Sequence, residues 1–286
     1  MGENVEKELT FWEHLDELRI VLFRIIVAVV VVMIVAFLNK ELLFSIILAP
    51  YKSDFIIYRF FCYLSEVTSI SDLCPEEFDV SLINTELSSQ FLVHLSTSFY
   101  VGILIAFPYI IYQIYRFVSP ALYENERKYS GRIIFFSGLL FFFGVLLNYF
   151  LIFPLSFRFL ATYQVSADVA NMINLSSYID TLMMLSLMMG IMSELPILSW
   201  LFCKLGFLSA SFMKKKRKYA VVIIMILSSF ITPTADVFTL MLVFIPIYIL
   251  YEVSIIVVKI TERKKAKEIV KEEEWESPYQ SEERNN

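Results

Sequence analysis

Two apolar runs, residues 219–231 and 237–258, are joined by a short polar stretch and bracketed on both outer sides by basic residues. Lys204, Lys214, Lys215, Lys216, Arg217 and Lys218 precede the first run, and seven more Lys or Arg follow the second. Basic loops of a membrane protein stay on the inner side. Both flanks therefore belong inside, and the first run, 13 residues long, has to cross. As a helix it reaches only ~20 Å against a hydrocarbon core of ~30 Å. The bilayer must thin there, or the protein must shield the helix ends.

The rest of the chain agrees with a membrane setting. Apolar residues make up 58% and charged residues 19%, outside the range of a soluble domain. Four further runs, residues 20–38, about 92–117, 133–155 and 182–203, are each long enough to span. Six crossings put both termini on one side. Three basic residues lie near the N-terminus, four between the second and third runs, six between the fourth and fifth and seven in the tail. Only Lys40, Lys52, Arg59 and Arg158 fall on the other side, so an all-α bundle with both termini cytoplasmic is expected. The first run starts behind acidic residues and is long enough to anchor, so no cleaved signal peptide is expected. A net charge of -5 disfavours nucleic acid as a partner.

Three segments follow. Residues 1–19 read as an amphipathic N-terminal helix lying along the inner surface, with Phe11, Leu15 and Leu18 on one face. Residues 20–258 form the six-helix membrane domain. Its external loop, 39–89, holds eight acidic and three basic residues and reads as an amphipathic cap. Residues 259–286 are a charged cytoplasmic tail, partly helical or disordered. Pro108, Pro154, Pro196 and Pro246 should kink their helices. No internal repeat is visible.

Enzymatic chemistry lacks its parts. The two histidines, His14 and His94, fall in different compartments, no nucleotide-binding loop is present, and the cysteines have no metal-ligand spacing. No enzyme activity, cofactor or metal is expected. Cys62 and Cys74 share the external loop, where an oxidising compartment permits a disulfide; two unpaired thiols are the alternative.

Among ionisable residues within the runs, Glu194 stands out. An unpaired charged carboxyl at that depth costs roughly 2.5 kcal/mol or more, so it should face a cavity, meet a polar group or stay protonated; a satisfied structural glutamate is the plain alternative. Arg24 can snorkel inward, and Gln113, Asn148 and Glu252 lie nearer run ends. Two acidic clusters occupy the inner surface, residues 14–19 (HLDELR) and 119–128 (SPALYENERK). Acidic residues set among basic ones suggest recognition of a cation, against solvated helix ends with local ion pairs.

These motifs, with FP at 153–154, ELP at 194–196, ITPTAD at 231–236 and PIYILYE at 246–252, resemble in order and spacing the TatC family. TatC is the core receptor subunit of the twin-arginine protein translocase. The resemblance covers roughly residues 9–258 and implies a cupped bundle of six helices, the last two short. It implies that Glu17 and Glu126 engage the paired arginines of a signal peptide, with Arg19, Arg127 and Lys128 orienting them. Glu194, beside Pro196, matches an intramembrane position that contacts partner subunits and the inserted signal peptide. Pro50 falls in the first external loop, and Thr232, Pro233 and Asp236 in the third. Implied partners are TatA-type and, where a second type exists, TatB-type single-span subunits, twin-arginine signal peptides of folded precursors, other TatC copies and the lipid bilayer of the bacterial inner membrane. Transport would draw on the proton-motive force. The rival readings are a proton-coupled secondary transporter of a small solute, with Glu194 as carrier, and a scaffold without ligand.

Overall fold

A computed structural model describes residues 11–68, 81–118, 130–164, 166, 171–232 and 236–283. They group into two compact units, residues 1–188 and 189–286.

The first unit is built on an antiparallel pair, α1 (Phe11–Leu38) and α4 (Ser89–Val118). The His14 ring stacks on Phe117 at 4.3 Å, and the Phe37 ring stacks on His94 at 4.1 Å. The interval from 14 to 37 equals that from 94 to 117, so the two helices keep one register over their whole contact. Midway, a Cβ on Gly102 would stand 3.0 Å from the Val29 carbonyl oxygen, closer than a side chain tolerates. Glycine here lets the backbones approach, as small residues do where membrane helices meet.

Residues 11–19 do not form a separate surface helix. They contain no glycine or proline to interrupt the helix, and α1 runs unbroken into the first span.

Between these helices lie α2 (Lys40–Ile47), a 3-10 turn (Ala49–Tyr51) and α3 (Ile56–Thr68). Tyr178 and Tyr149 donate their hydroxyls to the carbonyls of Ile47 and Ile46, at 2.9 and 2.6 Å. Tyr58 donates to the Pro154 carbonyl at 2.8 Å. Burial pushes the Tyr58 phenol well above its usual range, with Arg158 only partly offsetting it, so the hydroxyl keeps its proton.

α5 (Ser130–Leu147) packs on α4 through Phe107 stacked on Phe141. It passes through a π-turn, Asn148–Ile152, into α6 (Phe153–Thr162). The Asn148 amide donates to Ser186 at 2.9 Å, and both side chains are buried. A two-residue parallel pair, β1 (Leu82–Ile83) with β2 (Ile173–Asn174), is a local addition to the expected all-helical chain. α7 (Leu175–Met192) follows.

The second unit contains α8 (Leu195–Lys204), α9 (Ala210–Lys215), α10 (Arg217–Ile231) and α11 (Val237–Glu283). The described tail is therefore helix, continuous with the last span. α11 packs on α8, α9 and α10. Among the described residues, five helical stretches, Trp12–Leu38, Ser89–Phe117, Ile133–Thr162, Leu175–Lys204 and Val237–Lys267, are long and apolar enough to cross a membrane. α10 has 15 residues, about 22 Å of helix, and is the short run of the sequence.

The prolines act differently from one another. Pro108 sits inside an unbroken helix, whereas Pro154 and Pro196 stand at the first turn of α6 and α8. At a first turn the missing N–H would have no helical acceptor anyway. The expected kink at Pro196 is thus a break between two helices.

Candidate functional site

The 14–19 motif forms the opening turns of α1. Glu17 lies three residues beyond His14, on the same side of the helix and one turn along. It is exposed, and the His14–Phe117 stack holds this turn against the end of α4. Arg19 does not sit on Glu17. Residues two apart on a helix face different ways, and Arg19 instead approaches Asp16 at 3.9 Å, both side chains largely in solvent. Glu126, Arg127 and Lys128 lie outside the described residues. The described chain stops at Val118, one residue past Phe117, and resumes at Ser130.

Glu194 is 6% exposed. It occupies the break between α7 and α8: its carbonyl accepts from the N–H groups of Ile197 and Leu198, and its own N–H donates to Ile191. The neighbouring Ser193 hydroxyl turns back to the Met189 carbonyl at 2.9 Å. The backbone of Glu194 is thus held on both sides, at a point where the helix ladder is interrupted and the next helix begins with Leu195 and Pro196.

At the other end of α10, Thr232 is buried and bonds back to the Ser228 carbonyl through both its N–H and its hydroxyl. Asp236 caps α11, accepting from the Thr239 N–H at 2.7 Å. Pro233 lies outside the described residues. Pro50 is buried in the 3-10 turn, next to Tyr51, whose ring meets Phe157 and Tyr178 edge-on. Cys62 on α3 is disulfide-bonded; Cys74 lies outside the described residues, and Cys203 is a buried free thiol.

One constellation had no clear sequence signal. Glu252 forms an ion pair with Arg217 at 2.6 Å and accepts from the Tyr248 hydroxyl at 3.1 Å. The i, i+4 spacing of Tyr248 and Glu252 was a hint; Arg217, 35 residues away in sequence, was not. The pair ties the start of the short α10 to α11.

Repeated long apolar helices, a buried carboxyl at a helix break and an exposed acidic turn at a helix mouth define a multi-pass helical membrane protein. The family model for the Sec-independent protein translocase protein (TatC) matches residues 13–246. Similar relatives are the TatC proteins of Blattabacterium from Periplaneta americana, 38% identical over 92% of this chain and 100% of its own, and of Carboxydothermus hydrogenoformans, 31% identical over 91% and 96%. A crystal structure of the twin-arginine translocase receptor TatC superposes with a TM-score of 0.69 at 31% identity, covering 87% of this chain and 100% of that one. The chain belongs to the TatC family, and its function is Sec-independent protein translocation.

Proposed function

We propose that this chain is the receptor of a twin-arginine translocase, spanning the bacterial inner membrane six times with both termini cytoplasmic. Glu17 and Glu126 would take the two guanidinium groups of a signal peptide. A planar guanidinium pairs with a carboxylate through two parallel hydrogen bonds, a geometry that lysine lacks, so an arginine pair is read as arginine and not merely as charge. The observation that carries this reading is the His14–Phe117 stack. It holds the turn bearing Glu17 against the helix end from which the segment bearing Glu126 departs.

Glu194 serves as the second contact, with the inserted signal peptide or with TatA-type and TatB-type helices. The chain itself catalyses nothing and needs no cofactor; folded precursors would pass through its assembly with partner subunits and further copies, using the proton-motive force. Crosslinking in native membranes from a photoreactive residue placed beside the residue pair of a labelled signal peptide to the segments 14–19 and 119–128 tests the receptor role. Adducts with a twin-arginine peptide and none with a twin-lysine peptide are expected, and equal labelling by both would refute it. Cys74 is read as the partner of Cys62, closing a loop worth about 2 to 4 kcal/mol. Thiol reagents applied to spheroplasts without reductant should then leave both unlabelled.

A further inference from the structure

Two carboxylates that the signal-peptide reading leaves unused share one recess. Glu86 stands between β1 and α4, and Asp180 lies in the second turn of α7, within the stretch Leu175–Lys204 that is long and apolar enough to cross a membrane. Both border a recess of about 580 Å³. Among the described residues neither carboxylate has an ion-pair partner, and no basic side chain lines the recess. An ionisable side chain kept in a span without a counter-ion points to a group that arrives from elsewhere. Ser89, the first residue of α4, lines the same recess. It is only 5% exposed, and its hydroxyl has no hydrogen-bond partner among the described residues. A buried hydroxyl left unpaired is costly, and a polar occupant of the recess would satisfy it.

The rim is preformed. β1 pairs with β2, and beside that pair the Asn174 amide donates to the Thr85 hydroxyl at 3.2 Å. The Asn174 side-chain oxygen in turn accepts from the N–H and the hydroxyl of Ser176, at 3.1 and 3.0 Å, which holds the first turn of α7. On the other side the Glu86 carbonyl accepts from the Asn84 amide at 3.0 Å and from the Ser89 N–H at 3.3 Å. The two acids thus sit on backbones tied to each other through the strand pair.

The other walls select the occupant. Met33 of α1 and Leu92, Leu95 and Phe99 of α4 line the recess, and the last three are exposed. On α7, Met184 and Met188 follow Asp180 by one and two turns on the same side of the helix, both half-buried. Methionine adapts to apolar surfaces of varied shape. A metal ion would be short of ligands, because among the described residues no third carboxylate, His or Cys joins the pair. A lipid ammonium is tethered to a phosphate, which two uncompensated carboxylates repel. A free soluble cation makes no use of the apolar walls, whereas a cation carried at the end of an apolar helix uses both.

We propose that this recess docks the end of a partner's apolar membrane helix that bears a cation, with Glu86 and Asp180 receiving the charge and Met33, Leu95 and Phe99 the apolar turn beside it. The inference rests on the proposed topology, which puts this end of the bundle outside the membrane. Its cation comes from a different helix end than the paired arginines assigned to Glu17 and Glu126.

The test is native mass spectrometry of the purified full chain in detergent, titrated with either of two synthetic peptides. Each is a helix of about 20 Leu and Ala residues, capped at both termini and alike except that one carries Lys and the other Gln at one end. The unaltered chain should retain the Lys peptide roughly tenfold more than the Gln peptide. Glu86→Gln/Asp180→Asn, checked for a monodisperse folded peak, should retain the two equally, and each single variant should lose part of the preference. Equal retention of both peptides by the unaltered chain, or a preference that survives the double variant, would overturn the site. A preference for phosphatidylethanolamine over phosphatidylglycerol that the double variant loses, with no discrimination between the peptides, would also overturn it and assign the recess to a lipid headgroup. No signal peptide takes part, so failure here would leave the receptor reading standing.

Discussion

Glu17 and Glu194 are the same residue type in opposite settings. Glu17 sits in the first turns of α1 with its side chain in solvent, whereas Glu194 is buried at the break between α7 and α8. A hydrated carboxylate is charged at no cost and is available to a soluble cation; its selectivity must come from geometry and from a second carboxylate nearby. A buried one has already lost its hydration, so each hydrogen bond it makes, to a charged or a neutral group, counts for more than it would in water. The exposed acid suits docking of an incoming charged peptide, and the buried acid suits a contact made within the membrane. Each can be broken independently.

The largest effect is expected at the docking surface. Glu17→Ala and Glu126→Ala should each remove a charge-assisted pair of roughly 1.5 to 3 kcal/mol, a loss of tenfold or more in signal-peptide binding. The double variant should abolish crosslinking while the protein still inserts. Undiminished crosslinking in the double variant would remove the surface from consideration.

At the buried carboxyl, Glu194→Gln should keep much of the export activity, because an amide still donates a hydrogen bond. Glu194→Leu should fold but cost about 1 to 3 kcal/mol in partner association, the penalty of an unsatisfied buried partner group. Export and co-purification of partner subunits measure both. Full activity of the leucine variant would make Glu194 a structural residue only, and the contrast with Glu17 would collapse.

Asp236 sharpens the comparison by being a carboxylate with a visible structural task. If capping α11 is all it does, Asp236→Asn should be silent and Asp236→Ala should lose about 1 kcal/mol of stability, read as a lowered thermal midpoint. An export defect in Asp236→Asn without a stability change would give it a role outside the fold.

The smallest effect belongs to Arg217 and Glu252. The pair is partly solvated, so Glu252→Gln should cost under about 1 kcal/mol. Because Tyr248 can still bond the amide, the same variant should leave thermal stability nearly unchanged at high salt. A large loss that salt does not diminish would mark the pair as part of the working mechanism.

The apolar runs, their lengths and the charge imbalance of the loops were legible in the chain, because hydrophobic length and loop charge are local properties that act wherever the fold places them. Residues 219–231 fall inside α10, and residues 133–155 fall within the span Ile133–Thr162. The 14–19 motif and Glu194 were legible as well, since a carboxylate at a helix mouth or within an apolar run is conspicuous without any partner in view. That Arg19 turns to Asp16 and not to Glu17 follows from helix geometry, because residues two apart are close along the chain yet face apart around the helix. Only the tertiary structure decided that residues 11–19 continue the first span, that Pro196 begins a helix instead of bending one, and that Asn148 meets Ser186. It alone matched Arg217 to Glu252 and the tyrosine hydroxyls to carbonyls 96, 103 and 131 residues away. Such contacts depend on which helix faces meet, and a periodic apolar pattern states that a face is buried without stating against what.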